Sequence, residues 1–428
     1  MQISTRPITL LDIAKIAIYG LYLNYYCYRI LFGRFIPNGT MIFFAIALAC
    51  VIANMFTKKT NIGTEIKIWI SYLILSLATS IFAINTSVAL DGLNKYWQRL
   101  AVIAMIVYIC EQEKTIKFAI KLLAATAITC ASSCLIMNVD VSKKLELESG
   151  ANISTNDIGS IMAFGCFAVL FAFGLKEHNS FIKTATKIGY ILAAVSVIFI
   201  AGSRKSVLAI LIMFTLIFLL CGRDIFKRLS AVQFVLVLLL IVGVIVFIYF
   251  YLLPNVESTD MYQRVWGRKA EGTVESDQSR IRLYSIAFKQ FFDHPLVGLG
   301  FDNFRVYNSG AYSHSTYAEP LACSGIIGFL YLAPYVMILV KQIKLIRLYR
   351  DNIEERVWQK ELLAFYISFL FVGIGIPYIY KDITCIILGM FIASQKISFD
   401  RLITRATDTV AKGAFRESIS NQGITNYS

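Results

Sequence analysis

Apolar runs of membrane-spanning length recur along the whole chain, separated by short polar connections. The stretch FVLVLLLIVGVIVFIYFYLL, Phe234 to Leu253, carries no charge at all. Roughly twenty apolar residues wound as a helix cross the hydrocarbon of a bilayer, and a helix satisfies its own backbone there. Windows of this kind centre near Tyr22, Leu48, Ile74, Ala104, Ile128, Phe167, Ala194, Phe214, Leu240, Ile327, Leu370 and Leu388. The pattern predicts an all-α polytopic membrane protein, a single membrane domain over residues 1–428 with about twelve transmembrane helices. Composition agrees: 57% hydrophobic and 16% charged residues leave too little polar surface for a soluble chain of this length. The opening MQISTRPITLLDIAKIAIYG lacks a small-residue cleavage site, so the first apolar segment is expected to be retained.

Charge changes the picture by giving the helices a direction. TKKTNIGTEIK, KEHNSFIKTATK, GRDIFKR and KQIKLIRLYRDNIEERVWQK are rich in Lys and Arg. They fall on one side if both termini are cytoplasmic, as the positive-inside trend requires, and the tail 396–428 agrees. The net charge of +14 is then cytoplasmic loop charge rather than a nucleic-acid surface. Three connections are expected outside: the polar loop Val139–Asp157, the short AGSRKS turn, and the long loop 254–313 between the ninth and tenth predicted helices. There is no visible internal repeat. The nine cysteines lie mostly inside apolar runs; Cys130 and Cys134, four apart, suit either a metal or two small apolar side chains.

The long loop is not low-complexity. Residues 279–293 read as an amphipathic helix, with Arg282, Ser285, Lys289 and Asp293 on one face and Ile281, Tyr284, Ala287, Phe288 and Phe291 on the other. Arg280 breaks the pattern, because it aligns with Tyr284, Ala287 and Phe291. It either snorkels to lipid phosphates or forms an anion site. HPLVGLG closes the helix: Pro295 cannot continue it, and Gly298 and Gly300 permit a tight return. His294 is read as a helix-terminal packing residue. In GSRKS, Arg204 and Lys205 lie on the expected outer side, against the positive-inside trend. Cations in such places are structural ion pairs or functional groups, and the arginine fork suits phosphate oxygens.

Histidine is scarce: only His178, His294 and His314. His314 sits where polar sequence meets the tenth apolar run, with Tyr317 three residues on and Glu319 a little over one turn away. A neutral imidazole there can take a proton from a hydroxyl. Glu319 is a candidate to orient it, and Pro320 to loosen the backbone. Gly325 and Gly328 are expected to let a neighbouring helix approach. No Walker loop, metal-ligand cluster or serine nucleophile elbow is present. A substrate met outside the membrane must bring its own leaving group, and a lipid-linked pyrophosphate does so.

The residues quoted above, taken in order, resemble the O-antigen ligase and Wzy-type polysaccharide polymerase superfamily. The resemblance rests on Arg204 in GSRKS, Arg280 ahead of HPLVGLG, and HSTY running into GIIG, with STNDIG around Asn156 in support. It spans roughly Asn152 to Leu332. It departs where many members carry Trp, here Tyr284, and where Asn often follows the motif histidine, here Ser315. The resemblance implies a GT-C-like helical fold in the bacterial inner membrane and an undecaprenyl-diphosphate-linked oligosaccharide donor. It also implies inverting transfer without metal or other cofactor, on the extracytoplasmic face. It assigns His314 as the base and Arg204 and Arg280 as diphosphate-binding residues. Lys205, Tyr317 and Glu319 complete the candidate substrate-contacting set. Membrane lipid, a flippase and a chain-length regulator are the expected partners. A Wzy-type polymerase is preferred because HSTYAEPLACSGIIG looks more like polymerase members. A ligase acting on lipid A core or protein uses the same donor chemistry. A transporter or flippase is the third reading, disfavoured because the odd charges cluster on one face rather than at mid-membrane.

Overall fold

The computed structural model describes residues 7–28, 36, 38–58, 62–136, 155–172, 188–194, 197–198, 203–226 and 270–421. The expected span near Leu240, the connections 137–154 and 173–187, and the first part of the long loop, 254–269, lie outside the described residues. Every regular element described is helical. The helices are α1 (Leu10–Tyr22, running into a π-helical turn Leu23–Tyr28), α2 (Gly39–Met55), α3 (Thr64–Ala78), α4 (Thr86–Gln112), α5 (Lys117–Ile136) and α6 (Thr155–Ala172). After a helical stretch at 188–194 follow α7 (Arg204–Phe226), α8 (Ala270–Asp293), α9 (Ala318–Ser324), α10 (Gly328–Leu348), α11 (Ile353–Gly373) and α12 (Ile383–Asn421). Five helical stretches among the described residues are long and apolar enough to cross a membrane. The chain is an all-α polytopic membrane protein.

Local sequence explains where several helices begin. Thr9 and Asp12 form a reciprocal capping box on α1, and the Asn85 and Asn352 side chains accept from Val88 N–H and Glu355 N–H to start α4 and α11. Packing then pairs α1 with α2, α3 with α10, α4 with α12, α5 with α6, and α7 with both α6 and α11. The core is aromatic: Trp69, Tyr72, Tyr96, Phe301 and Tyr331 meet in one cluster, and Trp69 donates its indole N–H to Tyr331 O at 3.0 Å. Cys130 and Cys134 are buried, and no metal-ligand cluster occurs among the described residues.

The two ends of the bundle differ. At one end, ion pairs tie helix termini together: Lys15 to Glu113 at 2.6 Å, Lys396 to Glu111 at 2.7 Å, and Lys341 to Glu65. The start of α1 and the charged half of α12 share this end. The opposite end gathers the starts of α4, α7 and α12, the end of α11 and the 294–319 segment.

The predicted tenth helix is not continuous. It breaks into α9, a 3-10 turn Gly325–Ile327, and α10. Gly325 adopts φ +56°, and a Cβ there would meet Pro295 O at 2.5 Å; one at Gly328 would meet Pro320 O at 2.4 Å. The two glycines therefore admit the PLVG turn and the preceding helix of the same segment, rather than a neighbouring spanning helix.

Candidate functional site

The first helical residues of α7 are Arg204 and Lys205, both half-buried. A helix N-terminus already carries partial positive charge, so two cations in its first turn are unfavourable in isolation. The turn before it is held by Ser203, whose hydroxyl bonds that of Ser206 at 2.7 Å. Gly159 of α6 lies so close that a Cβ would meet Ser206 Oγ at 2.5 Å. STNDIG thus has a packing reason beside its likeness to the family.

α8 is longer than the sequence pattern suggests, beginning at Ala270, yet it ends at Asp293 as expected. Its packed face is Leu283, Ile286, Ala287 and Gln290, with Arg280 and Tyr284 half-buried along one edge. Arg282, Ser285, Lys289 and Asp293 are exposed. Ile281 and Phe288, expected on the covered face, are 63% and 45% exposed. After α8 the chain returns through Gly298 and Gly300, at φ +66° and +95°. Leu299 N–H and Gly300 N–H donate to Ala322 O and Cys323 O of α9. Asn303, fully buried, completes the turn: its side chain accepts from Asn85 N–H at 2.8 Å and donates to Asn85 O at 3.1 Å. The turn is thereby tied to the start of α4.

His314 does not sit on a helix; α9 starts four residues later, at Ala318. Its backbone lies in the left-handed region at φ +58°, a strained position for a residue with a side chain. The flanking residues fix it there. Ser313 N–H donates to Glu319 Oε2 at 2.6 Å, and Thr316 N–H donates to Gly373 O at 2.8 Å. Ser315 Oγ accepts from Tyr317 N–H and Ala318 N–H and so starts α9. Asparagine, frequent in the family at this position, is equally able to accept.

A second element, absent from the sequence reading, organises the site. The carbonyls of Gly373, Ile374, Gly375 and Ile376 at the end of α11 accept in turn from Thr316 N–H, Tyr284 OH, Lys205 Nζ and Thr316 Oγ1. Four consecutive carbonyls join α8, α7 and the His314 segment. Tyr284 makes its bond at 2.7 Å, and an indole N–H is also a donor, so the tryptophan that the resemblance would lead one to expect here could make the same bond. Tyr317 OH donates to Leu370 O at 2.6 Å, so its hydroxyl anchors the segment to α11. Glu319, 1% exposed, accepts from Ser313 N–H and Tyr380 OH. It positions His314 through the backbone; among the described residues no bond joins it to the imidazole.

Lys381, also missed, pairs with Asp157 of α6 at 2.8 Å. It sits at the lip of an apolar run, the same signal that singled out Arg204 and Lys205. The half-buried imidazole of His314 is pushed down to about 4, by burial first and then by the charges of Lys205, Arg280 and Lys381. An electropositive basin around a neutral imidazole can hold an anion and accept a proton from a nucleophile.

Residues 188–333 match the family model described as O-Antigen ligase, Wzy_C. The Wzy_C segment contains Arg204, Lys205, Arg280, His314, Tyr317 and Glu319 and ends within α10. It agrees with the resemblance to the O-antigen ligase and Wzy superfamily. Wzy_C proteins are glycosyltransferase-like enzymes, ligases and polymerases. No match was found among curated proteins.

Proposed function

We propose that the chain is a Wzy-type polymerase of a surface polysaccharide in the bacterial inner membrane, with the His314 end of the bundle facing outward. The donor is a glycan on undecaprenyl diphosphate; the acceptor is a sugar hydroxyl of another lipid-linked repeat unit. The acceptor oxygen attacks the sugar C1 as the C1–O bond to diphosphate breaks, and the hydroxyl proton passes to the His314 imidazole. Configuration inverts. Arg204, Arg280 and Lys205 offset the charge on the departing diphosphate, which no metal is needed to do. The observation that carries this reading is the neutral imidazole set among Lys205, Arg280 and Lys381, inside a Wzy_C match. General-base help of this kind contributes about 10²–10⁴-fold.

A ligase that moves finished glycan to lipid A core or a protein is the second reading, favoured by the family description itself. The glycan profile of a deletion strain separates the two. Single repeats on the final acceptor support a polymerase; long chains stranded on the carrier lipid support a ligase.

A further inference from the structure

A second cavity, of about 470 Å³, opens at the His314 end of the bundle. α1, α2 and α4 wall it, and the segments around Asp302–Tyr312 and Tyr380–Cys385 close it. His314 is not in its lining, and among the described residues of the Wzy_C segment those that reach it are Asp302, Arg305 and Tyr312. Its surface is of two kinds: Leu21, Phe44 and Val102 contribute apolar helix faces, while Lys95, Arg99, Asp302, Arg305 and Asp382 bring charge.

The Asp302–Arg305 pair is incompletely bonded. Asp302 Oδ2 accepts from Arg305 Nη2 at 2.8 Å, with the Asp302 side chain only 6% exposed. Yet among the described residues Asp302 Oδ1 and Arg305 Nε are both buried without a hydrogen-bond partner, with only the Tyr380 hydroxyl approaching the Asp302 carboxylate. An orphaned buried polar atom is costly, more so when charged, so the pair calls for something that fills the site. The orphans are one acceptor and one donor. A hydroxyl group answers both, and neighbouring hydroxyls on a ring answer both at once. A free anion would instead face the Asp302 and Asp382 carboxylates, and the other cations of the lining, Lys95 and Arg99, already pair with Asp91 and Asp382. Arg305 lies over the Tyr312 ring at 5.8 Å, and the Tyr312 and Tyr380 rings stand 4.7 Å apart. Flat aromatic walls suit the apolar faces of a sugar. The remaining apolar wall, made by membrane helices, suits an alkyl chain.

We infer that this cavity is the acceptor site. It takes the hydroxyl-rich head of a lipid-linked saccharide at Asp302 and Arg305 and its lipid tail along Leu21, Phe44 and Val102. The inference rests on the transferase reading above and deepens it. Cavity and imidazole share a wall: Tyr312 precedes His314 by two residues, and Tyr380 OH donates to the Glu319 carboxylate that holds Ser313.

Photo-crosslinking tests it. The benzophenone amino acid p-benzoylphenylalanine replaces Met41, which lines the cavity and is 52% exposed, in full-length His314→Gln protein that does not consume the probe. The probe is the labelled lipid-linked repeat unit extracted from the host. Labelling is expected, competed by the unlabelled repeat unit, and reduced about 10-fold or more by Asp302→Asn, since bonds to charged groups are worth that much. Gln98→Ala, at another lining residue, is expected to weaken labelling without touching the Asp302–Arg305 pair. Equal competition by undecaprenyl diphosphate without sugar, or by phosphatidylglycerol, overturns the proposal and reduces the cavity to a lipid seam. So does absent labelling while wild-type protein still transfers glycan. Labelling in a protein whose wild type transfers nothing sinks the transferase reading but leaves a glycolipid site.

Discussion

Acid is the sharpest probe of His314. At pH 6 an imidazole with the ordinary pKa of about 6.5 is only about one-quarter neutral, so a reaction needing the neutral form would already be about fourfold slower. Held down at about 4, the same ring stays essentially neutral there. The difference corresponds to roughly 2–3 kcal/mol in favour of the neutral form, after allowance for solvent reaching a half-buried ring. The imidazole's own contribution to the kcat/KM profile for transfer is therefore expected to be flat from pH 8 down to about 5, with its acid limb near 4. Bound diphosphate reverses part of the cause. Its charge offsets Lys205 and Arg280, favours the protonated ring, and raises the pKa in the complex. The acid limb of kcat should then lie at higher pH than that of kcat/KM. A diphosphate esterified at both ends has no ionisation near neutrality to confuse the comparison. Replacing Lys205 with Met removes one of the cations and should move the kcat/KM limb upward. The assay is initial rate against pH at low and saturating donor, with size-exclusion profiles confirming the fold at each pH. An acid limb of kcat/KM at 6.5 or above that persists in Glu319→Gln protein, or limbs in the reverse order, refutes the electrostatic reasoning.

The two arginines of α8 should separate: Arg280→Ala, half-buried beside His314, loses transfer by about 10²-fold or more, whereas Arg282→Ala, exposed, stays within about twofold at equal protein level. Gly298→Ala places a Cβ 2.5 Å from the Cys323 backbone at φ +66° and should cost about 2 kcal/mol or more, read as a lower thermal midpoint and little folded protein. A cysteine at Ser276, in a background lacking the native cysteines, should label from the extracytoplasmic side only; labelling from the cytoplasm alone inverts the proposed orientation.

The all-α membrane character was legible because hydropathy over about twenty residues is a strong signal. The same signal misjudged α8. Phe288 and Ile281 were placed on the covered face by apolarity, but the face that packs is chosen by the small Ala287 and by Gln290, which bonds Tyr307 OH at 2.9 Å. In a chain bounded by lipid, an apolar side chain is at home either way. Arg204, Arg280 and His314 stood out because charge and imidazole at an apolar border are costly and so informative. The Gly373–Ile376 carbonyls could not stand out, since a backbone acceptor carries no side-chain signature. Asn303 offered a faint one, a polar residue in a glycine-rich turn. Glu319 does lie near His314, but it bonds Ser313 N–H rather than the imidazole, an arrangement that depends on a left-handed backbone which residue spacing does not reveal.

The central claim is that His314 moves a proton rather than merely holding the lip of the bundle. Purified full-length protein with lipid-linked oligosaccharide allows donor binding and product formation to be measured separately. His314→Gln should fold, bind donor within a fewfold of wild type, and lose transfer by about 10²–10⁴-fold. A folded His314→Gln protein with near wild-type turnover would remove the imidazole from the chemistry and leave it an anchor.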